Sequence, residues 1–250
     1  MKLICYLKTK IRNAIIKFKR FLFMRKIEKS KDSISQFKNK YKGERCFVIG
    51  NGPSLTVDDL EKLNGEITFA SHGIYYIFDQ TDWRPTFYCA QDAKFIRNNY
   101  DVINNNCLDC QKIFGVVRYL DDYPKFTKYD CLVNLIVEKF VDNCPKFSKD
   151  LTVGAYEGLT VTYFSIQLAV YMGFKEIYLL GVDHFYSGDE NDHFSKNDVC
   201  TNKPQTEKST YSYRVANKYA NENGIKIYNA TRGGHLEEFE RIDFDKIIRE

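Results

Sequence analysis

The sequence predicts an α/β protein with a mostly parallel sheet flanked by helices, preceded by a basic amphipathic helix. Three observations predict it. Short apolar runs such as Cys46-Phe47-Val48-Ile49 are too brief for helices and suit strands covered on both faces. Each run stops at a turn rich in glycine or polar residues, and strand-like and helix-like segments then alternate to the C-terminus. The stretch 158–173 is apolar all round, as a helix buried against a sheet should be.

In order, residues 1–29 come first, with Ile4, Leu7, Ile11, Ile15, Phe18 and Leu22 at helical spacing and basic residues opposite. Lysines and arginines interrupt the apolar face too often for a membrane span or a signal peptide. A helix lying on an anionic membrane surface is expected, or one packed on the body or on a second copy in a homo-oligomer. Residues 30–45 read as a linker and 46–250 as the catalytic domain. Cys46–Ile49 runs into Gly50-Asn51-Gly52-Pro53-Ser54, where glycines allow close backbone approach, and Thr56 with Asp59 starts a helix. Such a turn is an anion site at the carboxyl edge of a sheet, or simply a tight turn.

Strands are expected at 66–70, ending in Ser71-His72, and at 86–90, ending in Gln91-Asp92. Side chains just past strand ends are where open α/β sheets bind ligands, although Asp92 equally suits a helix cap. A fourth strand is expected at 112–117, and 118–150 as a lid or small subdomain. The buried helix 158–173 carries Thr160 and Thr162 at its start. Residues 175–181 are a strand ending at Gly181, before Asp183, His184 and Tyr186. A long polar loop with His193 follows, then a helix over 209–223, a strand over 225–228 and a turn over 229–236.

Composition narrows the function. The chain has 250 residues, 44% hydrophobic and 28% charged, enough for one substantial core. Residues 1–29 hold ten basic side chains against Glu28 alone, a local charge of +9 within a total of +4, which leaves −5 for the body. An acidic body argues against nucleic acid as a partner. Eight scattered cysteines read as buried free thiols in a reducing cytoplasm; Cys107 and Cys110 have zinc-hook spacing without a second pair, so no metal is expected. Neither common nucleotide fingerprint occurs.

Three segments together carry a resemblance: 48–55, 172–184 and 229–236. They resemble the 6-hydroxymethylpterin diphosphokinase-like proteins, a family that takes in motility-associated flagellin glycosyltransferases. More distantly the chain is similar to Campylobacter lipooligosaccharide sialyltransferases, which share Gly-Asn-Gly-Pro-Ser-Leu and a Lys-Glu-Ile-Tyr-Leu run. The resemblance implies a Rossmann-like, metal-independent glycosyltransferase using a CMP-activated sugar. It places Gly50, Asn51 and Gly52 on the donor's phosphate and sugar, and sets Thr160 and Thr162 near the sialyltransferases' Thr-Ser-Gly. Tyr186 falls one residue beyond their donor-phosphate tyrosine, His72 near an asparagine, and Glu207 on their catalytic histidine.

The expected function is therefore glycosyl transfer from a nucleotide-sugar donor, CMP-sialic acid or a related nonulosonate, to a glycan or glycolipid acceptor on the inner face of the cell membrane. The alternative is pyrophosphoryl transfer from ATP to a pterin, with Mg²⁺ on Asp92 and Asp183. No cofactor is expected otherwise. For the proton taken from an attacking hydroxyl, Asp183, His184 and His193 are the candidates by chemistry and Glu207 by alignment.

Overall fold

The structure, a computed structural model, describes residues 2–107, 109–117, 123–137, 145–185 and 206–248; for residues 2–9, 12, 13, 16, 19 and 20 only the backbone is described. Among the described residues, nine strands form one parallel sheet. In chain order the elements are α1 (Lys2–Ser35), β1 (Arg45–Ile49), α2 (Val57–Glu61), β2 (Thr68–Ser71), a 3₁₀ helix (His72–Ile77), β3 (Phe87–Ala90), α3 (Ala93–Asn106), β4 (Gln111–Val116), β5 (Cys131–Ile136), β6 (Ala155–Tyr156), α4 (Val161–Met172), β7 (Glu176–Leu180), α5 (Thr206–Glu222), β8 (Lys226–Asn229), β9 (Glu240–Arg241) and α6 (Phe244–Ile247). Across the sheet they run β6-β5-β4-β3-β2-β1-β7-β8-β9. The chain thus marches outward from β1 to β6, returns through α4, and restarts at β7 on the other side of β1. That reversal is the topological switch point, where open α/β sheets hold their ligands.

The continuous apolar runs follow from burial on both faces. Cys46 and Val48 enter one core and Phe47 and Ile49 the other; Ile177 and Leu179 divide from Tyr178 and Leu180 in the same way. Helix α4, with Tyr163, Phe164, Ile166, Leu168 and Ala169 all buried, fills the first core and ends at Gly173 with φ 96°. The aromatic run after Ser71 forms the 3₁₀ helix over the second core. Among the described side chains, the cysteines Cys46, Cys89, Cys107, Cys110 and Cys131 are buried free thiols.

Two expected boundaries change. Helix α1 does not stop at residue 29 but runs to Ser35, and its second half belongs to the fold: Ile27 and Ile34 are buried, Phe23 stacks on Tyr123 at 5.3 Å, and the Ser30 hydroxyl accepts the buried Leu132 N–H. Nor is the stretch beyond it a mere linker. Asn39, Tyr41 and Gly43 donate their N–H groups to the carbonyls of Tyr171, Met172 and Gly173, which α4 leaves without intrahelical partners. The segment 118–150 also contributes to the sheet, because Cys131, Val133 and Leu135 alternate into the first core as β5. Its polar surroundings and Asn134 disguised that strand; the Asn134 amide donates to Val153 O at 3.1 Å.

Candidate functional site

At the switch point the turns after β1 and β7 interlock. Gly50 N donates to Leu180 O and Gly52 N to Gly181 O, both at 2.8 Å. The approach is so close that a Cβ on Gly50 would lie 2.3 Å from Gly181 O, and one on Gly52 1.8 Å from Asp183 Oδ2. The same carboxylate oxygen accepts from Ser54 Oγ at 2.7 Å and weakly from Ser54 N at 3.4 Å. The donors of this turn are therefore engaged within the protein, Gly50 N and Gly52 N by carbonyls at the end of β7 and Ser54 by Asp183. Burial raises the proton affinity of Asp183, with the Ser54 bonds acting in the opposite direction. Pro53 is exposed between Gly52 and Ser54. Asn51 Nδ2 donates to Ser71 O at 3.1 Å, which draws the end of β2 into the same cluster.

The turn after β8 supports Asp183 from behind. Thr231 Oγ1 accepts from Val182 N at 3.0 Å, His235 N donates to Asp183 O at 2.7 Å, and the His235 ring lies 4.8 Å from that of Phe185. Asn229 organises this turn, accepting from Thr231 N and donating to Leu236 O. The segment 229–236 was legible as a polar turn, but its role against Asp183 needed the β7–β8 pairing.

His184 has φ 55°, unusual for a residue with a side chain, and turns its ring toward α5. Its Nε2 lies 2.8 Å from Thr210 Oγ1, and the ring meets Tyr213 edge-on at 5.2 Å. Tyr213 Oη lies 3.5 Å from Thr160 Oγ1, the hydroxyl that caps α4 by accepting from Thr162 N. His184, Thr160 and Thr162 thus share one cluster through α5, and sequence spacing did not point to Thr210 and Tyr213 as the links. Burial holds the His184 imidazolium below its usual pKa. Glu207 is exposed on the first turn of α5, three residues before Thr210. Tyr186 and His193 lie outside the described residues.

Toward β3 a further group forms. His72, at φ 46°, follows β2; its carbonyl accepts from Tyr88 Oη at 2.8 Å and its ring lies 4.7 Å from Phe95. Asp92 does act as a cap, Oδ1 accepting from Phe95 N at 2.6 Å. Gln91 Nε2 donates to Glu157 O at 3.1 Å, bringing in a carboxylate that sequence reading missed.

An open parallel sheet with a Gly-rich turn and an acidic turn meeting at its switch point defines an α/β protein of the doubly wound kind, a class that binds ligands at the carboxyl ends of its strands. The family model described as 6-hydroxymethylpterin diphosphokinase MptE-like matches residues 22–189, and the chain belongs to that family. Among solved structures, the MAf glycosyltransferase from Magnetospirillum magneticum AMB-1 superposes with a TM-score of 0.52 at 14% identity, covering 88% of this chain and 38% of that one. This chain therefore spans less than half of that protein's length. The sialyltransferase CstII from Campylobacter jejuni, solved with cytidine-5'-monophosphate, gives a TM-score of 0.48 at 16% identity, covering 80% of this chain and 85% of that one. At such identities the likeness is one of fold. No curated protein matches the sequence.

Proposed function

We propose that this chain is a glycosyltransferase that draws on a nucleotide-activated sugar, a CMP-linked nonulosonate, and transfers it to a cell-surface glycan acceptor. What favours this over pyrophosphoryl transfer from ATP is the placement of carboxylates. The alternative calls on Asp92 and Asp183 to share Mg²⁺, whose ligands stand at about 2.1 Å. Asp92 is held at its own helix cap and Asp183 at Ser54. They follow β3 and β7, with β2 and β1 between, three strand spacings or roughly 14 Å apart at about 4.8 Å per strand. One ion does not bridge that gap, so these residues do not fit a shared Mg²⁺.

A departing nucleotide phosphate needs donors instead. The Thr160 and Thr162 hydroxyls stand at the start of α4, whose first turn contains no acid to oppose an anion. The choice of CMP rests on the sequence motifs shared with the sialyltransferases, and the fold of MAf supports the wider class. The test is thermal unfolding of the full chain with CMP, CDP, UDP, GDP and ATP, each with and without Mg²⁺. CMP without Mg²⁺ is expected to stabilise, by about 2.7 kcal/mol at a hundredfold excess over Kd. Stabilisation by ATP alone, and only with Mg²⁺, would replace this reading with the diphosphokinase one.

The acceptor side of the proposal involves α1. Ile11, Ile15, Phe18 and Leu22 form an exposed apolar stripe, with Lys10, Lys17 and Arg25 also exposed. No helix among the described residues is long and apolar enough to cross a membrane. Such a stripe suits the headgroup plane of an anionic bilayer. Phosphatidylglycerol vesicles are expected to sediment the full chain, less so at high salt, and Phe18→Glu with Ile15→Glu to abolish this without changing the melting temperature. Equal sedimentation of the double variant would refute the membrane contact. Surface substitutions are used in place of a truncation because removing residues 1–29 would also take Ile27 out of the core.

A further inference from the structure

Cys107 and Cys110 lie at the amino edge of the sheet, between α3 and β4, away from the candidate site at the carboxyl edge. Cys107 is the C-cap of α3, its N–H donating to Ile103 O at 2.8 Å. Cys110 N then donates back to Cys107 O at 3.4 Å. That bond closes a turn whose ends stand within about 7 Å at Cα, the reach of a disulfide. Both side chains enter the second core, Cys107 fully buried and Cys110 6% exposed, while Asp109 between them is exposed. The pair thus lies just under a surface turn.

Lys112 on β4 faces the same core as Phe114, two positions further along the strand. It is only 8% exposed, and Nζ donates to Cys107 O at 3.2 Å, the carbonyl that also receives the Cys110 N–H. The ammonium therefore sits against the turn. It forms no ion pair among the described residues, and a buried cation without a counter-charge is costly. A thiolate on Cys110 supplies that charge, whereas at Cys107 the negative end of α3 opposes one. The Cys107 thiol bonded to the Cys110 sulfur, with Lys112 and Arg84 adding to its effect, holds Cys110 below the usual thiol range against burial, and Cys107 is held far above it. By contrast, burial pushes Cys89 and Cys131 up to about 12 and Cys46 well above its ordinary value.

We propose that Cys107 and Cys110 are a reversible redox pair, a dithiol that a small-molecule disulfide converts into an intramolecular disulfide. The Cys110 thiolate attacks one sulfur of the small disulfide, forming a mixed disulfide and releasing the other half as a thiolate. That thiolate takes the Cys107 proton, and the Cys107 sulfur attacks Cys110 Sγ. The protein disulfide forms, and the second half leaves, recovering from water the proton that Cys110 gave up. Two electrons pass to the small disulfide, which departs as two thiols. Because Lys112 stabilises the reduced pair, the disulfide is readily reduced again. None of this depends on the glycosyl-transfer reading.

The test treats the full chain with oxidised glutathione, unfolds it in iodoacetamide and digests it with trypsin. Arg97 and Lys112 bound a peptide, 98–112, that carries these two cysteines and no others. It is expected to escape alkylation and to be lighter by two hydrogens than its reduced form, and to be alkylated at both cysteines when dithiothreitol precedes the unfolding. The peptides carrying Cys46, Cys89 and Cys131 are expected to be alkylated in either case. Cys107→Ser is expected to trap one glutathione on Cys110, and Cys110→Ser to take up none on Cys107. Lys112→Met, whose peptide extends to Arg118, is expected to shift the glutathione equilibrium about tenfold or more toward the disulfide, the scale of losing a charged hydrogen bond. Full alkylation of peptide 98–112 in the treated wild type, or glutathione trapped on Cys107 and not on Cys110, would overturn the proposal. An unchanged equilibrium in Lys112→Met would overturn the part assigned to Lys112.

Discussion

Gly50→Ala is expected to destabilise the protein by about 3 kcal/mol or more, a fall of about 6–12 °C in Tm for a chain of this size. The added methyl would meet Gly181 O at 2.3 Å and Gly181 C at 2.9 Å. Those atoms belong to backbone at the end of β7, which pairs with β1 over five residues, so neither side can retreat without breaking the central ladder. Gly52→Ala makes a useful contrast. Its methyl meets first the Asp183 carboxylate, the end of a side chain, so the expected result is displacement of Asp183 from Ser54 and altered ligand binding with a smaller loss of stability. Thermal unfolding of both variants decides the matter, and an unchanged Tm for Gly50→Ala would contradict the interlocked turns.

Removing the side chain that takes the acceptor's proton should lower turnover by about 10²-fold to 10⁴-fold. This is the expectation for His184→Ala and for His193→Ala, with Glu207→Ala close to wild type. For His184 the structure supplies a chemical reason. The single Thr210 hydroxyl proton is donated to Thr206 O at 3.0 Å, so toward His184 this hydroxyl accepts, and Nε2 carries the hydrogen. Nδ1 is then the atom with a lone pair, and burial keeps the ring neutral at pH 7, the form able to receive a proton. Once a donor is known, turnover of the three variants is measured with donor affinity checked separately. Unchanged rates in both histidine variants and a collapse in Glu207→Ala would move the base to the first turn of α5.

The fold was legible where local chemistry and burial agree. Strands β1 and β7 are short apolar runs closed by glycine, and α4 is apolar throughout between Thr160 and Gly173, so period and punctuation suffice. Strand β5 escaped because a half-buried asparagine interrupts its pattern, and β6 and β9 because two residues carry no period. The end of α1 escaped because a helix that leaves one body of apolar residues for another has a polar stretch between, which reads as a boundary.

For the candidate site, residue type and position past a strand end singled out Gly50, Asn51, Gly52, Asp183, His184, Gln91 and Asp92 as candidates. That much follows from the chain alone, since turn residues and short polar side chains report their own backbone needs. Only the tertiary structure decided what each one meets. Strand order put β7 beside β1, so that Gly50 and Gly52 face Gly181 and Asp183 rather than open space, and it turned His184 onto Thr210. It also brought Glu157 to Gln91 across 66 residues of sequence. Local propensity carries no information about such contacts, because they arise from the order in which strands dock and from the backbone strain that docking holds in place.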